Sequence, residues 1–389
     1  MSPRRVLILT VSHGASHERA AAALKKGLAQ AEPHAEVRIV NALALCPLWF
    51  RLYYDSYLLP LRYCPSVWVW IENQQHEHDS TNPVWLYRRA VEGLQRFIED
   101  FAPDVLVATE VGVCEMVALL KRERGLRCPL VGLITGMDVD RAWARPEVDL
   151  YVVSPGEPAA CLRASGVGAE RIVACGQPID PEFAALPDRA AARARNGVEG
   201  DAPLLLVLFG GSGFGRPRQI VAELKKLKRA FQAVLIAGRN ERLRGRLESF
   251  ANGASNLRTC GWVDNMHEWM AAADLVITKP GASTLVESLS CGLPMLALDP
   301  LPGNERRACD WIEANHLGHW VRKASDLSPL LDGLMSRAEA LNELRARALA
   351  FARPSAAIHA AQAIASLNGH AVPKAVKAPR AFAAASSRS

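Results

Sequence analysis

The chain has 389 residues, half of them hydrophobic and 22% charged, a balance that fits a globular protein with room for two cores. No run of 18 or more uncharged apolar residues occurs, so no membrane-spanning helix is expected. The net charge of +6 is too small and too dispersed for a nucleic-acid surface, but it suits anionic phosphates or an acidic membrane face.

The nine cysteines are scattered and contain no C-x-x-C pair, which points to small buried hydrophobes rather than disulfides or a structural zinc. Met1-Ser2-Pro3-Arg4-Arg5 runs straight into Val6-Leu7-Ile8-Leu9 with no long apolar stretch or small-residue cleavage site, so a cytoplasmic chain is expected.

In chain order, strand-like apolar runs occupy 6–11, 37–40, 104–109, 129–135, 150–154 and 172–176, then 204–209, 233–237, 257–263, 275–278 and 295–299. Helix-like segments alternate with them. Short apolar runs between amphipathic helices predict parallel strands covered on both faces, an α/β doubly wound architecture. The expected division is an N-terminal Rossmann-like domain over 1–180, a linker over 181–203 and a C-terminal Rossmann-like domain over 204–350. A helix over 351–370 and a disordered basic tail over 371–389 follow.

Residues 46–70 stand apart. Aromatics make up 6% of the chain, yet this stretch holds Trp49, Phe50, Tyr53, Tyr54, Tyr57, Tyr63, Trp68 and Trp70, with Arg51 and Arg62 between them. Trp and Tyr favour the bilayer interface and Arg pairs with lipid phosphate. Trp49, Phe50, Arg51, Tyr53, Tyr54 and Arg62 are therefore the expected membrane or acceptor contacts.

Four motifs carry chemistry. Ser12-His13-Gly14-Ala15-Ser16-His17-Glu18 follows the first strand and sets His17 near a helix N-terminus, where a histidine can take a proton from a hydroxyl nucleophile. Asp138 and Asp140, after a strand of the same half, are the reserve bases. Gly210-Gly211-Ser212-Gly213 follows the strand at 204–209 and offers backbone N–H groups to a diphosphate. It matches neither the P-loop nor the G-x-G-x-x-G spacing. The strongest motif runs from Asp274 through Lys279-Pro280-Gly281-Ala282-Ser283-Thr284 to Glu287. A strand ends, a helix starts with unbonded N–H groups and hydroxyls for a diphosphate, and a carboxylate lies about one turn further in, able to accept both hydroxyls of a ribose. Finally, Pro302-Gly303-Asn304-Glu305 follows a strand and opens a helix, so that Asn304 and Glu305 can meet sugar hydroxyls. No Asp-x-Asp sits at a strand end beside these motifs, so no metal and no cofactor beyond the sugar nucleotide is expected.

These residues together resemble the monogalactosyldiacylglycerol synthases and the related processive diacylglycerol glucosyltransferases, a group similar to glycosyltransferase family 28. The likeness rests on Gly261-Trp-Val-Asp264, Ala273–Gly281 with Glu287, Pro302–Glu305, Ser12–His17 and Gly176-Gln-Pro-Ile179. It implies a GT-B fold of two Rossmann-like domains facing across a cleft. It also implies metal-independent, inverting transfer from UDP-galactose or UDP-glucose to diacylglycerol, by an enzyme peripheral to the inner face of the cell membrane. The same resemblance puts the family's phosphate-binding turn on Gly281–Thr284, its ribose glutamate on Glu287 and its base on His17. The chain departs from the pattern at Asn304, where the family has Gln, at Gly136, where it has Asp, and at Asp140, where it has His. Because the departures lie on the acceptor or sugar side, two other readings stay open. One is a soluble transferase or UDP-sugar-converting enzyme of the same fold; the other is a non-catalytic UDP-sugar-binding protein.

Overall fold

The computed structural model describes residues 4–12, 15–56, 58–64, 66–67, 69, 80, 82–210 and 215–367, with backbone alone at 58, 61, 62 and 338. Strands β1 (Arg5–Thr10), β2 (Glu36–Asn41), β3 (Val105–Ala108), β4 (Leu130–Leu133), β5 (Leu150–Val152) and β6 (Ile172–Val173) form one parallel sheet in the order β2-β1-β3-β4-β5-β6. Strands β7 (Leu204–Leu208), β8 (Gln232–Ile236), β9 (Leu257–Cys260), β10 (Leu275–Thr278), β11 (Met295–Leu298) and β12 (Gly318–Val321) form a second, in the order β12-β11-β10-β7-β8-β9. Pairing is parallel throughout. Among the described residues no helix is long and apolar enough to cross a membrane.

The apolar runs are continuous because both faces of each sheet are covered. Side chains alternate across the pleat, so β1 sends Leu7 and Leu9 into one core and Val6 and Ile8 into another. In the second sheet β7 divides in the same way, Leu206 and Leu208 against Leu205 and Val207. The strand β12 is missing from the sequence reading: Gly318-His319-Trp320-Val321 lies at the sheet edge, half-buried, and has no apolar run to signal it.

Sheet order reverses between β1 and β3 in the first domain and between β7 and β10 in the second. Open parallel sheets leave a crevice for ligands at such switch points, beyond the carboxyl ends of the strands. The motifs at 12–18, 210 and 279–287 leave from those ends.

The stretch 181–203, expected as a linker, is folded onto the second domain. The Arg189–Arg195 helix buries Ala192 in the same core as Ile179, Phe183 and Val198. Arg189 pairs with Asp274 at 2.5 Å, and Arg193 donates to the carbonyls of Gly200 and Ala202 at 2.7 and 2.9 Å. Alanine and arginine are good helix formers, and the alanine face is small enough to dock. Of the expected C-terminal helix, Ala356–Ala365 returns to the first domain, where Ala360, Ala361 and Ile364 share a core with Val6, Ile8, Ala20 and Leu24. The Arg4 guanidinium donates to the carbonyls of Ala365, Ile364 and Leu367 at 2.6 to 3.0 Å and so closes that helix's C-terminus. The tail at 371–389 lies outside the described residues.

The Ala15–Ala31 and Ala356–Ala365 helices approach closely at Gly27, where an added Cβ would stand 2.4 Å from the Ala357 carbonyl oxygen. Helix propensity alone favours alanine over glycine by about 1 kcal/mol, but relieving a backbone clash in a packed seam costs about 1–3 kcal/mol. Gly27→Ala is therefore predicted to lower Tm in a thermal melt. An unchanged or raised Tm contradicts the close packing.

Candidate functional site

The carboxyl ends of the two sheets enclose a cleft of about 1070 Å³. On the first-domain side β1 leads into the Ala15–Ala31 helix, whose first turn brings Ser16 and His17 to the wall. His17 Nδ1 lies 2.6 Å from the Thr109 carbonyl oxygen, beyond β3, and 3.3 Å from the Thr135 hydroxyl, beyond β4. A carbonyl only accepts, so Nδ1 carries the hydrogen, and in the neutral ring the lone pair is on Nε2. Three strand ends thus fix one imidazole in the tautomer a base needs.

Asp138 and Asp140 also line the cleft. The Asp138 carboxylate is ion-paired with the Arg307 guanidinium from the opposite domain, and Arg307 also donates to Asn304. A carboxylate held by a guanidinium is a poor proton acceptor, so Asp138 bridges the domains rather than standing ready as a base. Asp140 precedes the short Arg141–Trp143 turn. Glu110, which the sequence reading did not single out, caps the Val111–Arg124 helix by accepting from Gly112 N and Val113 N at 3.0 and 2.9 Å, and it faces the same space. Glutamate is not among the preferred N-cap residues, so nothing in the local sequence marks it.

On the second-domain side two helices begin at the cleft. The Ala282–Ser290 helix starts after Gly281, and the Asn304–Ala314 helix starts after Gly303; neither start has a side-chain cap. Gly303 has φ +84 and ψ −121, a conformation open only to glycine, which lets the chain double back from Pro302 into the helix. Helix starts without an N-cap side chain carry partial positive charge and N–H groups suited to phosphate oxygens, although Ser283 N here already has Ser16 Oγ as its acceptor. Lys279 Nζ pairs with Glu305 Oε1 at 2.7 Å, while Glu305 Oε2 accepts from Leu301 N at 2.7 Å. Glu305, expected on the sugar, therefore also holds the lysine. Gly210, with φ +65, lies beneath the Lys279 side chain, where a Cβ would come 3.5 Å from Lys279 Cε. Gly211, Ser212 and Gly213 lie outside the described residues.

The remaining donor residues fall at the seam between the domains. Ser283 N donates to Ser16 Oγ at 3.4 Å, and the Ser283 hydroxyl accepts from Gln177 Nε2 at 3.1 Å. Gln177 Oε1 in turn accepts from Gly136 N at 2.8 Å. Gly281 and Ala282 line the cleft; Thr284, half-buried, and Glu287 do not. Glu287 is buried and accepts from Arg19 Nη1 at 3.3 and 3.4 Å. Burial pushes its carboxyl up to about 7, with Arg19 opposing the rise and Asp180 adding to it.

The aromatic segment divides by helix face. On the Leu48–Asp55 helix Phe50 is 0% exposed, packed near Tyr54 and Tyr87, which corrects its expected place at a membrane. Arg51 is half-buried. Leu48 at 62%, Trp49 at 43%, Leu52 at 61% and Tyr53 at 42% exposure share the outward side, because residues four apart lie over one another. Tyr53 and Tyr54 line the cleft, as do Trp311 and Phe351, and Tyr53 is also exposed to solvent. The side chain of Arg62, and residues 57, 68 and 70, lie outside the described residues. Among those described, no group of three His, Cys, Asp or Glu side chains could hold a metal.

Residues 17–179 match the family model for monogalactosyldiacylglycerol synthase, and residues 204–305 match that for the glycosyltransferase family 28 C-terminal domain. A processive diacylglycerol beta-glucosyltransferase of Bacillus mycoides is 25% identical over 387 residues, covering 95% of each chain. One of Staphylococcus saprophyticus is 28% identical over 220 residues, or 56% of this chain and 55% of its own. Among solved structures, MurG of Acinetobacter baumannii aligns with a TM-score of 0.62 at 17% identity, covering 94% of this chain and all of that one. Anabaena HepE in complex with UDP and glucose aligns at 0.54 and 14% identity, over 94% of this chain and 100% of the other. A putative UDP-N-acetylglucosamine 2-epimerase of Listeria monocytogenes reaches 0.62 at 17% identity, over 97% and 100%. At such identities the solved structures speak for the fold, which is GT-B.

Glu287 makes a pH-dependent prediction. A buried carboxyl raised to about 7 binds its proton more tightly in the folded chain than in the unfolded one, so stability falls as pH rises from the ordinary carboxylate range through 7. Glu287→Gln removes that loss. The Tm of the variant relative to the parent should be unchanged near pH 4 and higher at pH 8. A variant less stable than the parent at pH 8 would mean that the Arg19 pair outweighs the burial.

Proposed function

We propose that this chain, whose residues 17–179 match the monogalactosyldiacylglycerol synthase model and whose residues 204–305 match the glycosyltransferase family 28 C-terminal domain, transfers a hexose from a UDP-sugar to diacylglycerol at a membrane surface. The observation that carries this reading is His17, with Nδ1 held by the Thr109 carbonyl, on the opposite wall of one cleft from two helix starts that have no N-cap side chain.

The diphosphate of the donor binds at the helix starts after Gly281 and Gly303, with Lys279 supplying a full positive charge. Gly210, just after β7, stands on the same side. Glu287 accepts the ribose hydroxyls, which replace Arg19 as partners of a carboxylate that is otherwise poorly satisfied. Asn304 and Glu305 hold the sugar. The acceptor hydroxyl oxygen bonds to the anomeric carbon from the His17 side while the carbon–oxygen bond to UDP breaks, and its electron pair leaves with the diphosphate. Attack from the face opposite the leaving group inverts the configuration. The hydroxyl proton passes to His17 Nε2, and the Thr109 carbonyl stabilises the imidazolium through Nδ1–H. Helix N-termini and Lys279 meet the leaving group's charge, so no divalent metal is required. The full-length relatives named as glucosyltransferases make glucose the first donor to test.

The acceptor enters from the bilayer. Leu48, Trp49 and Leu52 are exposed beside the Tyr53–Tyr54 mouth, with Val84 and Trp85 exposed on the Val84–Ala90 helix. An outward apolar strip at a cleft mouth supports docking at the inner face of the cell membrane, with anionic lipid adding attraction for a basic chain.

Radiolabelled UDP-glucose and UDP-galactose, offered separately with diacylglycerol vesicles in excess chelator, should yield labelled glycolipid from at least one donor. Binding of UDP with no labelled lipid from either donor would favour a UDP-sugar-converting enzyme or a non-catalytic binder. His17→Ala should lower turnover about 100-fold or more with UDP affinity unchanged. Near-normal turnover in that variant, with loss in Asp140→Asn, would move the base to Asp140. Replacing Leu48, Trp49 and Leu52 together by Ser should reduce co-sedimentation with anionic vesicles about 10-fold or more and leave UDP affinity intact. Phe50→Ala, by contrast, should destabilise the fold by about 3–5 kcal/mol. Vesicle binding lost only in Phe50→Ala would contradict the outward strip.

A further inference from the structure

Beneath the acceptor side of the cleft lies a chain of hydrogen bonds that runs in one direction. Tyr53 donates its hydroxyl to Asn82 Oδ1 at 2.7 Å. Asn82 Nδ2 donates to the Tyr87 hydroxyl at 2.9 Å, and Tyr87 donates to Glu115 Oε2 at 3.1 Å. From the other side Arg145 donates to Glu115 Oε1 in an ion pair. Glu115 is 3% exposed, in the middle of the Val111–Arg124 helix. An ionised carboxylate only accepts, so every donor in the chain points toward it and it sets the direction of them all.

The two arms end on two different parts of the cleft. One arm ends on Tyr53, on the helix that carries the outward apolar strip, and both Tyr53 and Asn82 line the cleft. The other arm fixes the segment that carries Asp140 and Trp143, which line it too. There Arg145 Nε donates to the Ala142 carbonyl at 3.0 Å, the Tyr151 hydroxyl donates to the Trp143 carbonyl at 2.7 Å, and Arg145 N donates back to Tyr151 at 2.9 Å. The helix and the segment are 90 residues apart in sequence (Tyr53 to Trp143), and their hydrogen bonds meet at one carboxylate.

We propose that Glu115 is a positioning residue for the acceptor: it holds the Leu48–Asp55 helix and the 140–145 segment in register, so that the mouth and the wall of the acceptor channel form together. The inference rests on the lipid-acceptor reading above. Glu115 itself touches no reacting atom. Its carboxylate is too costly a group to bury for packing alone, since an apolar residue of like volume would pack as well without the desolvation cost. What the carboxylate supplies, and an apolar side chain cannot, is two acceptor atoms facing opposite ways.

The test uses the full chain in three forms. Glu115→Gln keeps the volume but turns one acceptor into a donor, so either Tyr87 or Arg145 meets an N–H group. The double variant Glu115→Leu/Arg145→Met removes both charges and should recover most of the Tm that Glu115→Leu alone loses. In both Glu115→Gln and the double variant, the KM for diacylglycerol should rise about 10-fold or more, while UDP affinity stays within about 2-fold. Hydrogen exchange measured without substrate should quicken about 10-fold or more at both 48–56 and 140–145. If the double variant regains Tm and acceptor KM together, the role is packing alone and the proposal is overturned. Quickened exchange confined to 111–124 would overturn it as well. A parent chain that makes no glycolipid defeats the lipid-acceptor reading instead, and the exchange arm still decides whether Glu115 couples the two segments.

Discussion

Ser283 ties the two domains together at the cleft through two of its polar groups. Its amide and its hydroxyl, at the first turn of a second-domain helix, bond to Ser16 and Gln177 of the first domain, and Gln177 passes the contact on to Gly136. Two sheets with no strand in common thereby keep their carboxyl ends facing. The seam is polar and hydrated partners can replace each bond, whereas each domain's core is apolar and closed. Beside it, the return of the Ala356–Ala365 helix to the first domain gives the pair of domains a second tie, made of buried alanine and isoleucine.

Around that seam the charged groups of the site are already paired with one another: Asp138 with Arg307, Glu305 with Lys279, Glu287 with Arg19. On the proposed function, a sugar nucleotide entering here would exchange partners rather than meet bare charges. That ordering keeps carboxylates from standing unpaired in a low-dielectric cleft, where the cost is highest. Glu287 is the exception in degree. Its guanidinium partner is 3.3 Å away and half exposed, too weak to offset the burial, which is why its carboxyl is pushed up to about 7. A group left partly satisfied is one that gains most from new hydrogen bonds.

The outer face of the Leu48–Asp55 helix follows the opposite logic from the cores. Leu48, Trp49 and Leu52 face water while Phe50 is buried beneath them. Composition marks the whole segment as aromatic, but a helix can bury only one side of itself on a given neighbour. The sequence reading treated the aromatics as one set, and the fold sorted them by angle around the helix axis. Leu48 and Leu52, at 62% and 61% exposure, belong to that outward surface as much as Trp49 does.

Much of the fold was legible without coordinates. Eleven strands announce themselves as apolar runs, the central ones because a doubly covered parallel strand must be apolar on both sides, and the glycine-marked helix starts at Gly281 and Gly303 are local features of the chain. β12 did not, since a half-buried edge strand need not be apolar. The 181–203 stretch read as a linker because its alanine and arginine content carries no strand signal, while its burial depends on a partner helix far along the chain. The sequence by itself determined the α/β class, the position of His17 at a strand end and the helix-start motif from Lys279 to Glu287, because each is fixed by bonds within a dozen residues. Only the tertiary structure decided that Arg307 holds Asp138, that Ser283 serves the seam, that Glu287 lies behind the cleft wall and that Glu115 joins two segments. Those outcomes depend on which groups meet across 28 to 268 positions of chain, through side-chain contacts that no local pattern encodes.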